Sequence, residues 1–187
     1  MIRLQVVLVF AAFVILNNLQ ERAFRKRKLE VEGRLAIERR RFKMGKMCLV
    51  LAWLSALLQA AGLNIRVAPL FHQGETLALL LFYAGFAVIV LAYFYLGEAN
   101  KIGLPQERTT LKTSGIYSFG RNPLYSGLFL ILVASVLYTA NPLTLVCAMM
   151  AIATYHKVIL AEEAFLLQRF GQEFSDYRRR VKRYFIF

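Results

Sequence analysis

The sequence predicts an all-α integral membrane protein of about five transmembrane helices, with its N-terminus outside and its C-terminus cytoplasmic. Three observations lead there. Apolar residues make up 58% of the 187 residues and mean hydropathy is +0.50, too high for a soluble chain whose surface must be largely polar. Five runs approach the roughly 20 apolar residues that an α-helix needs to cross ~30 Å of hydrocarbon: Ile2 to Leu19, Met47 to Leu63, Thr76 to Gly97, Pro123 to Ala140 and Leu143 to Leu160. The basic residues alternate between their connections, and Lys/Arg excess marks cytoplasmic loops.

The connections justify the orientation one by one. Glu21 to Lys46 holds eleven basic residues, Glu98 to Asn122 four, and Ala161 to Phe187 six, together 21 of the 24. The opposite connections hold only Arg66, between Asn64 and Glu75, and none in the Asn141-Pro142 turn; Arg3 stands alone at the amino terminus. The first run has a single arginine before it and no small-x-small cleavage site, so it reads as a retained span.

Residues 1–100 form a first region of three spans with a basic cytoplasmic segment over 21–46. There Phe24, Val31, Leu35 and Phe42 recur at intervals of 7, 4 and 7, a narrow apolar stripe suited to the headgroup layer and to anionic lipids. A net charge of +13 with Arg25-Lys26-Arg27-Lys28 and Arg39-Arg40-Arg41 would suggest nucleic acid in a soluble chain; in this setting it is a topology signal, and no nucleic-acid partner is expected. Cys48 and Cys147 form no CxxC pair and read as packing residues, not as a disulfide or a metal site. His72 reads as a surface histidine. His156 and Lys157, near the end of an apolar run, read as candidates for a partner or a cavity, with snorkelling a sufficient reason for Lys157.

Residues 101–187 hold the remaining unusual chemistry, beginning with TSGIYSFGRNPLYSG at 113–127. Asn122-Pro123 is a strong helix start, with asparagine at the N-cap and proline at the first helical position. A helix amino terminus favours an anion, and Arg121 adds to it. Tyr117 and Tyr125 flank this point, with Gly115 and Gly120 permitting a tight turn. Glu162-Glu163 follows the fifth run, where carboxylates oppose the helix dipole unless Arg121 or a ligand partners them. An anion site beside a carboxylate pair suits a zwitterionic cofactor bearing a ribose, such as S-adenosylmethionine. The tail FGQEFSDYRRRVKRYFIF is expected to form an amphipathic helix with Phe170, Phe174, Tyr177 and Val181 on one face, roofing the cofactor pocket. Arg178-Arg179-Arg180 reads as lipid-facing charge.

TLKTSGIYSFGRNPLYSG, the later NP and EEAFLLQRFGQEFSDYRRRV together resemble the carboxyl-terminal half of the isoprenylcysteine carboxyl methyltransferase family. They resemble the membrane phospholipid N-methyltransferases more loosely. The resemblance covers roughly residues 105 to 183. It implies an integral membrane methyltransferase with S-adenosylmethionine in a cytoplasmic pocket and a lipophilic substrate entering from the bilayer. It further implies cofactor contacts from Thr109, Thr110, Leu111 and Lys112, from Tyr117, from Asn122, Pro123 and Tyr125, and from Glu162. Two positions depart from the family: its histidine is replaced by Asn122, and an arginine one turn before the glutamate pair by Val158.

Methyl transfer from a sulfonium is an in-line displacement, favoured by alignment and by exclusion of water. A carboxylate or thiolate acceptor needs no base, whereas an amine or hydroxyl makes Glu163 or His156 a candidate catalytic residue. Tyr117, Tyr125 and Phe119 are candidates for cation-π contact with the sulfonium, Phe119 reading more simply as an interface aromatic. The expected acceptor is a prenylcysteine-like carboxylate or another lipidic or small hydrophobic molecule. A phospholipid amine, a nicotinamide-dependent membrane reductase and a non-catalytic lipid-binding protein stand as alternatives. The membrane would be the plasma or inner membrane of a prokaryote or the endoplasmic reticulum of a eukaryote, with the active site facing the cytoplasm.

Overall fold

The computed structural model describes residues 1–26, 37–69, 73–96 and 110–185. They form α1 (Ile2–Lys26), α2 (Arg39–Ala60), α3 (Gly74–Leu96), a 3-10 turn (Gly115–Ser118), α4 (Pro123–Thr139), α5 (Pro142–Phe170) and α6 (Gln172–Arg180). α1, α2, α3 and α5 are long and apolar enough to cross a membrane; α4 is apolar but shorter, at 17 residues. All five expected runs are helical, with shifted ends. α2 begins at Arg39 because its basic first turns extend the helix ahead of the apolar stretch. α5 runs to Phe170 because Glu162, Glu163 and residues after them such as Leu166, Leu167 and Gln168 are good helix formers, and the two carboxylates end a hydropathy run without ending a helix.

One expectation for the basic segment changes. Phe42 is not part of a surface-lying stripe but stands in the first turns of α2, where its ring meets Tyr155 of α5 edge-on at 6.2 Å. Val31 and Leu35 lie outside the described residues, as do His72 and Thr109.

The core lies between helices that alternate in direction. Phe10 of α1 packs edge-on against Trp53 of α2 and Phe82 of α3, and Phe82 against Tyr138 of α4. A second cluster joins Cys48 and Ala52 of α2, Leu132 of α4, and Cys147 and Ala151 of α5. Both cysteines are free and buried, as packing residues would be.

Helix α4 meets α3 at a glycine pair. A Cβ on Gly127 would lie 2.7 Å from the carbonyl oxygen of Gly85, and one on Gly85 would lie 2.8 Å from that of Gly127. Each added carbon would also strike the isoleucine one turn on in the facing helix, Ile89 or Ile131. Small residues that let two backbones touch are a recurrent way of joining helices in lipid, where no hydrophobic effect drives association.

At the end of the bundle remote from Glu162, α4 stops in a left-handed residue, Ala140 (φ 42°, ψ 47°). Its carbonyl accepts the N–H groups of Val67 and Ala68 at 3.4 and 3.3 Å. Asn141 then caps α5, its side-chain oxygen accepting the N–H of Leu143 at 2.9 Å while its amide donates to the Ile65 carbonyl at 2.6 Å. A left-handed alanine costs ~1–2 kcal/mol, and glycine returns part of any gain through a more flexible unfolded chain. Ala140→Gly is therefore expected to stabilise the protein by about 0.5–1 kcal/mol, read as a raised midpoint of unfolding in detergent.

Candidate functional site

The site is built where the 3-10 turn, the head of α4, the later turns of α5 and the tail converge. Gly115 starts it. It has φ +61° and lies so close to the Tyr95 ring of α3 that an added Cβ would overlap the ring, so both the backbone conformation and the close approach require glycine here. The turn places Tyr117 on the buried side, where its carbonyl accepts the Tyr177 hydroxyl of α6 at 2.6 Å. Burial pushes the Tyr177 phenol up to about 12, so the donor persists well above neutral pH. Burial raises Tyr117 as well, with Tyr177, Glu162 and Tyr93 in electrostatic reach of its hydroxyl.

Glu162 and Glu163 are adjacent in sequence but point about 100° apart around α5, and this rotation divides their roles. Glu162 accepts the Tyr125 hydroxyl of α4 at 2.9 Å. Tyr155, seven residues before Glu162 and so on the same face, sets its ring 6.0 Å from that of Tyr125. Glu163 faces the tail. Its oxygens accept Arg121 Nε at 3.2 Å, Asn122 Nδ2 at 3.0 Å, and Arg183 Nη2 and Nε at 2.9 and 3.1 Å. His156, seven residues before Glu163, faces the tail too, with Nδ1 2.6 Å from the Tyr184 hydroxyl.

The Arg121 and Glu163 side chains are 7% and 6% exposed. Removing one partner of such a buried pair costs ~3–5 kcal/mol, since the other charge is left unpaired. Arg121 also donates to the carbonyls of Arg178 and Val181, so its guanidinium is spent inside the protein and does not sit open at the head of α4. Asn122 precedes Pro123 as the N-cap residue, but its side chain makes no cap bond. Its amide nitrogen donates to Glu163 and to the Arg183 carbonyl, charge-assisted in the first case, and the side chain is oriented for those bonds and not for capping. The pair is likewise not at a helix end: α5 continues to Phe170, so the dipole argument does not apply to it.

The structure thus brings Tyr117, Tyr125 and Glu162 into one cluster and Arg121, Asn122 and Glu163 into another, with buried Pro123 opening α4 between them. Thr110 and Lys112 are exposed and Leu111 half-buried in the lead-in to the turn. Lys157 is exposed, and Phe119 is 74% exposed, as an interface aromatic would be. A groove of about 630 Å³ runs along the outward side of the turn, lined by Leu91, Tyr95, Ile116, Phe119 and Phe185 among others. Glu162 does not line it, so the groove and the acid cluster are separate features. Tyr155 was the residue hidden from the sequence; its one signal was the seven-residue spacing to Glu162.

A model of the phospholipid methyltransferase family matches residues 74–173, a stretch that contains the turn, α4 and both glutamates. The chain belongs to the phospholipid methyltransferase family. It is also similar to the protein-S-isoprenylcysteine O-methyltransferase of Xenopus laevis, with 36% identity over 73 residues, 38% of this chain and 25% of the relative. The chain therefore spans about a quarter of that relative's length. No solved structure matches. Within the phospholipid methyltransferase family match fall Tyr117, Tyr125, Tyr155 and Glu162, whereas Arg183 and Tyr184 of the tail lie beyond it.

Proposed function

We propose that this is an S-adenosylmethionine-dependent methyltransferase acting on a lipophilic acceptor at the cytoplasmic face of a membrane. The observation that supports it most directly is the Tyr125–Glu162 pair, a carboxylate held by a phenol inside the region of the family match. The residues fit the cofactor. Glu162 has a second oxygen to accept ribose hydroxyls or an amine, and the rings of Tyr117, Tyr125 and Tyr155 offer π faces to a cation, a contact worth ~0.5–2 kcal/mol. When bound, the cofactor supplies an electrophilic methyl group on a positively charged sulfur.

The chain's own part is to bind, orient and exclude water, effects worth ~7–11 kcal/mol where alignment is good. Glu163 and His156 hold the tail in this reading, so an amine acceptor gives its proton to water and not to either of them. A prenylcysteine-like carboxylate is one acceptor class. The second is the amine of a phospholipid headgroup, favoured by one observation: the arginines beside the cluster, Arg121 and Arg183, are both paired with Glu163 and so are not free to hold a substrate carboxylate.

Calorimetric titration of the detergent-purified protein with S-adenosylhomocysteine, with NADPH as control, tests the cofactor. Saturable binding of the first alone is expected. Binding of NADPH alone would replace methyl transfer by a reductase reading, and binding of neither, in folded protein, would favour a non-catalytic role. Labelled methyl transfer to prenylcysteine analogues and to ethanolamine phospholipids then separates the acceptors.

A further inference from the structure

The segment after α6 binds the residues that lead into α4 through its backbone and one face of α5 through two of its side chains. The Val181 carbonyl accepts from the Arg121 guanidinium. The Lys182 carbonyl accepts the Arg121 N–H at 2.9 Å, and the Arg183 carbonyl accepts the Asn122 N–H at 3.2 Å and its side-chain amide at 3.3 Å. Arg183 turns its guanidinium onto Glu163, and the Tyr184 hydroxyl meets His156. Phe185 closes over Gly120, where an added Cβ would come within 3.0 Å of its ring.

These contacts converge on the short stretch that leads into Tyr125. From Asn122 to Tyr125 is a single turn, stiffened by the fixed φ of Pro123, so a displacement at Asn122 is passed on to the Tyr125 hydroxyl and to Glu162. The layers differ in accessibility. Arg121 and Glu163 are almost fully enclosed, whereas the Arg183 side chain is 32% exposed, which makes the tail the outer and more releasable part of the clasp.

We propose that residues 181–185 are a positioning strap for the cofactor site. Arg183, acting through Glu163 and through the backbone of Arg121 and Asn122, sets the head of α4, and the affinity for the cofactor depends on the strap being seated. The inference rests on the methyltransferase reading above. Coupling of this kind is reciprocal: whatever factor the seated strap adds to cofactor affinity, the bound cofactor must add to the seating of the strap.

The test uses the full chain in detergent, S-adenosylhomocysteine as the probe, and trypsin, whose cut after Lys182 requires the strap's backbone to leave Arg121 and Asn122. Arg183→Ala is expected to weaken binding about tenfold or more, equivalent to ~1.4 kcal/mol, with little change in the unfolding midpoint of the ligand-free protein. Arg183→Lys is expected to recover most of the loss. In the unmodified chain, saturating probe should slow cleavage after Lys182 by a comparable factor, a response that a merely structural tail would not give. Wild-type affinity in Arg183→Ala, or cleavage indifferent to the probe, overturns the strap. Should Arg183→Ala fail to fold, Tyr184→Phe removes one hydroxyl and should still weaken binding about threefold; unchanged affinity there also overturns it. Failure of the unmodified chain to bind the probe would instead sink the methyltransferase reading, and the strap with it.

Discussion

Glu162→Ala is expected to abolish measurable binding of S-adenosylhomocysteine while leaving the helices intact. Hydrogen bonds to a carboxylate are worth ~1.5–3 kcal/mol each, so two lost contacts to the ligand amount to about 3–6 kcal/mol, or a factor of roughly 10²–10⁴ in affinity. Glu162 is half-buried and, among the described residues, its hydrogen-bond partner is the Tyr125 hydroxyl, which limits the damage to the fold. Glu162→Gln, which keeps an acceptor oxygen but loses the charge, should fall between. The informative contrast is with Glu163→Gln. That change removes the charge that Arg121 and Arg183 share and should lower the unfolding midpoint, whereas Glu162→Ala should not. Calorimetry and circular dichroism on the same samples read both quantities. Retained affinity in Glu162→Ala would remove the acid from the proposed site.

Gly127→Val is expected to have the largest effect on stability. Its Cβ alone would stand 2.7 Å from the Gly85 carbonyl oxygen and 2.7 Å from the Ile89 side chain. The first of these is backbone in the middle of a helix, and it cannot rotate away. Overpacking ordinarily costs ~1–3 kcal/mol, and with two helices forced apart the loss should be at or above the top of that range. Because α4 begins with Pro123 and Tyr125, the separation would displace Tyr125 from Glu162 as well. Binding and the unfolding midpoint should therefore fall together, unlike the separable effects at Glu162. A midpoint within a degree or two of the wild type would mean that α3 and α4 do not cross at this pair.

The helices were legible in the sequence because hydropathy reports the apolar stretch of a span. Their ends were less so, for the same reason: hydropathy does not report the polar turns that continue a helix. Arg39 starts α2 and Phe170 ends α5, both outside the apolar runs. Asn122 shows a second limit. Its local signal as a capping residue is strong, yet a carboxylate delivered from position 163 takes its side chain, and nothing local to Asn122 announces that. The glutamate pair shows a third. Adjacency suggests a shared role, but one residue of a helix is more than a quarter turn, so Glu162 meets Tyr125 while Glu163 meets the tail. The periodicity of the tail predicts helix through Val181, but α6 ends at Arg180 and Val181 is extended; beyond it there is no periodicity or motif, and the contacts of the segment emerge only from the folded chain.

On the proposed reading, the length of α5 sets the depth at which chemistry at Glu162 would take place. Glu162 lies twenty residues beyond Pro142, which at about 1.5 Å per residue is ~30 Å along the axis, the thickness of a bilayer's hydrocarbon. On the proposed reading, an acceptor anchored by its own chain meets the acid at the level where that hydrocarbon ends, without leaving the leaflet. Its effective concentration is then a mole fraction in a two-dimensional sheet. Turnover would follow the make-up of the vesicle: diluting the acceptor with inert lipid slows the enzyme, whereas adding more vesicles of the same composition does not.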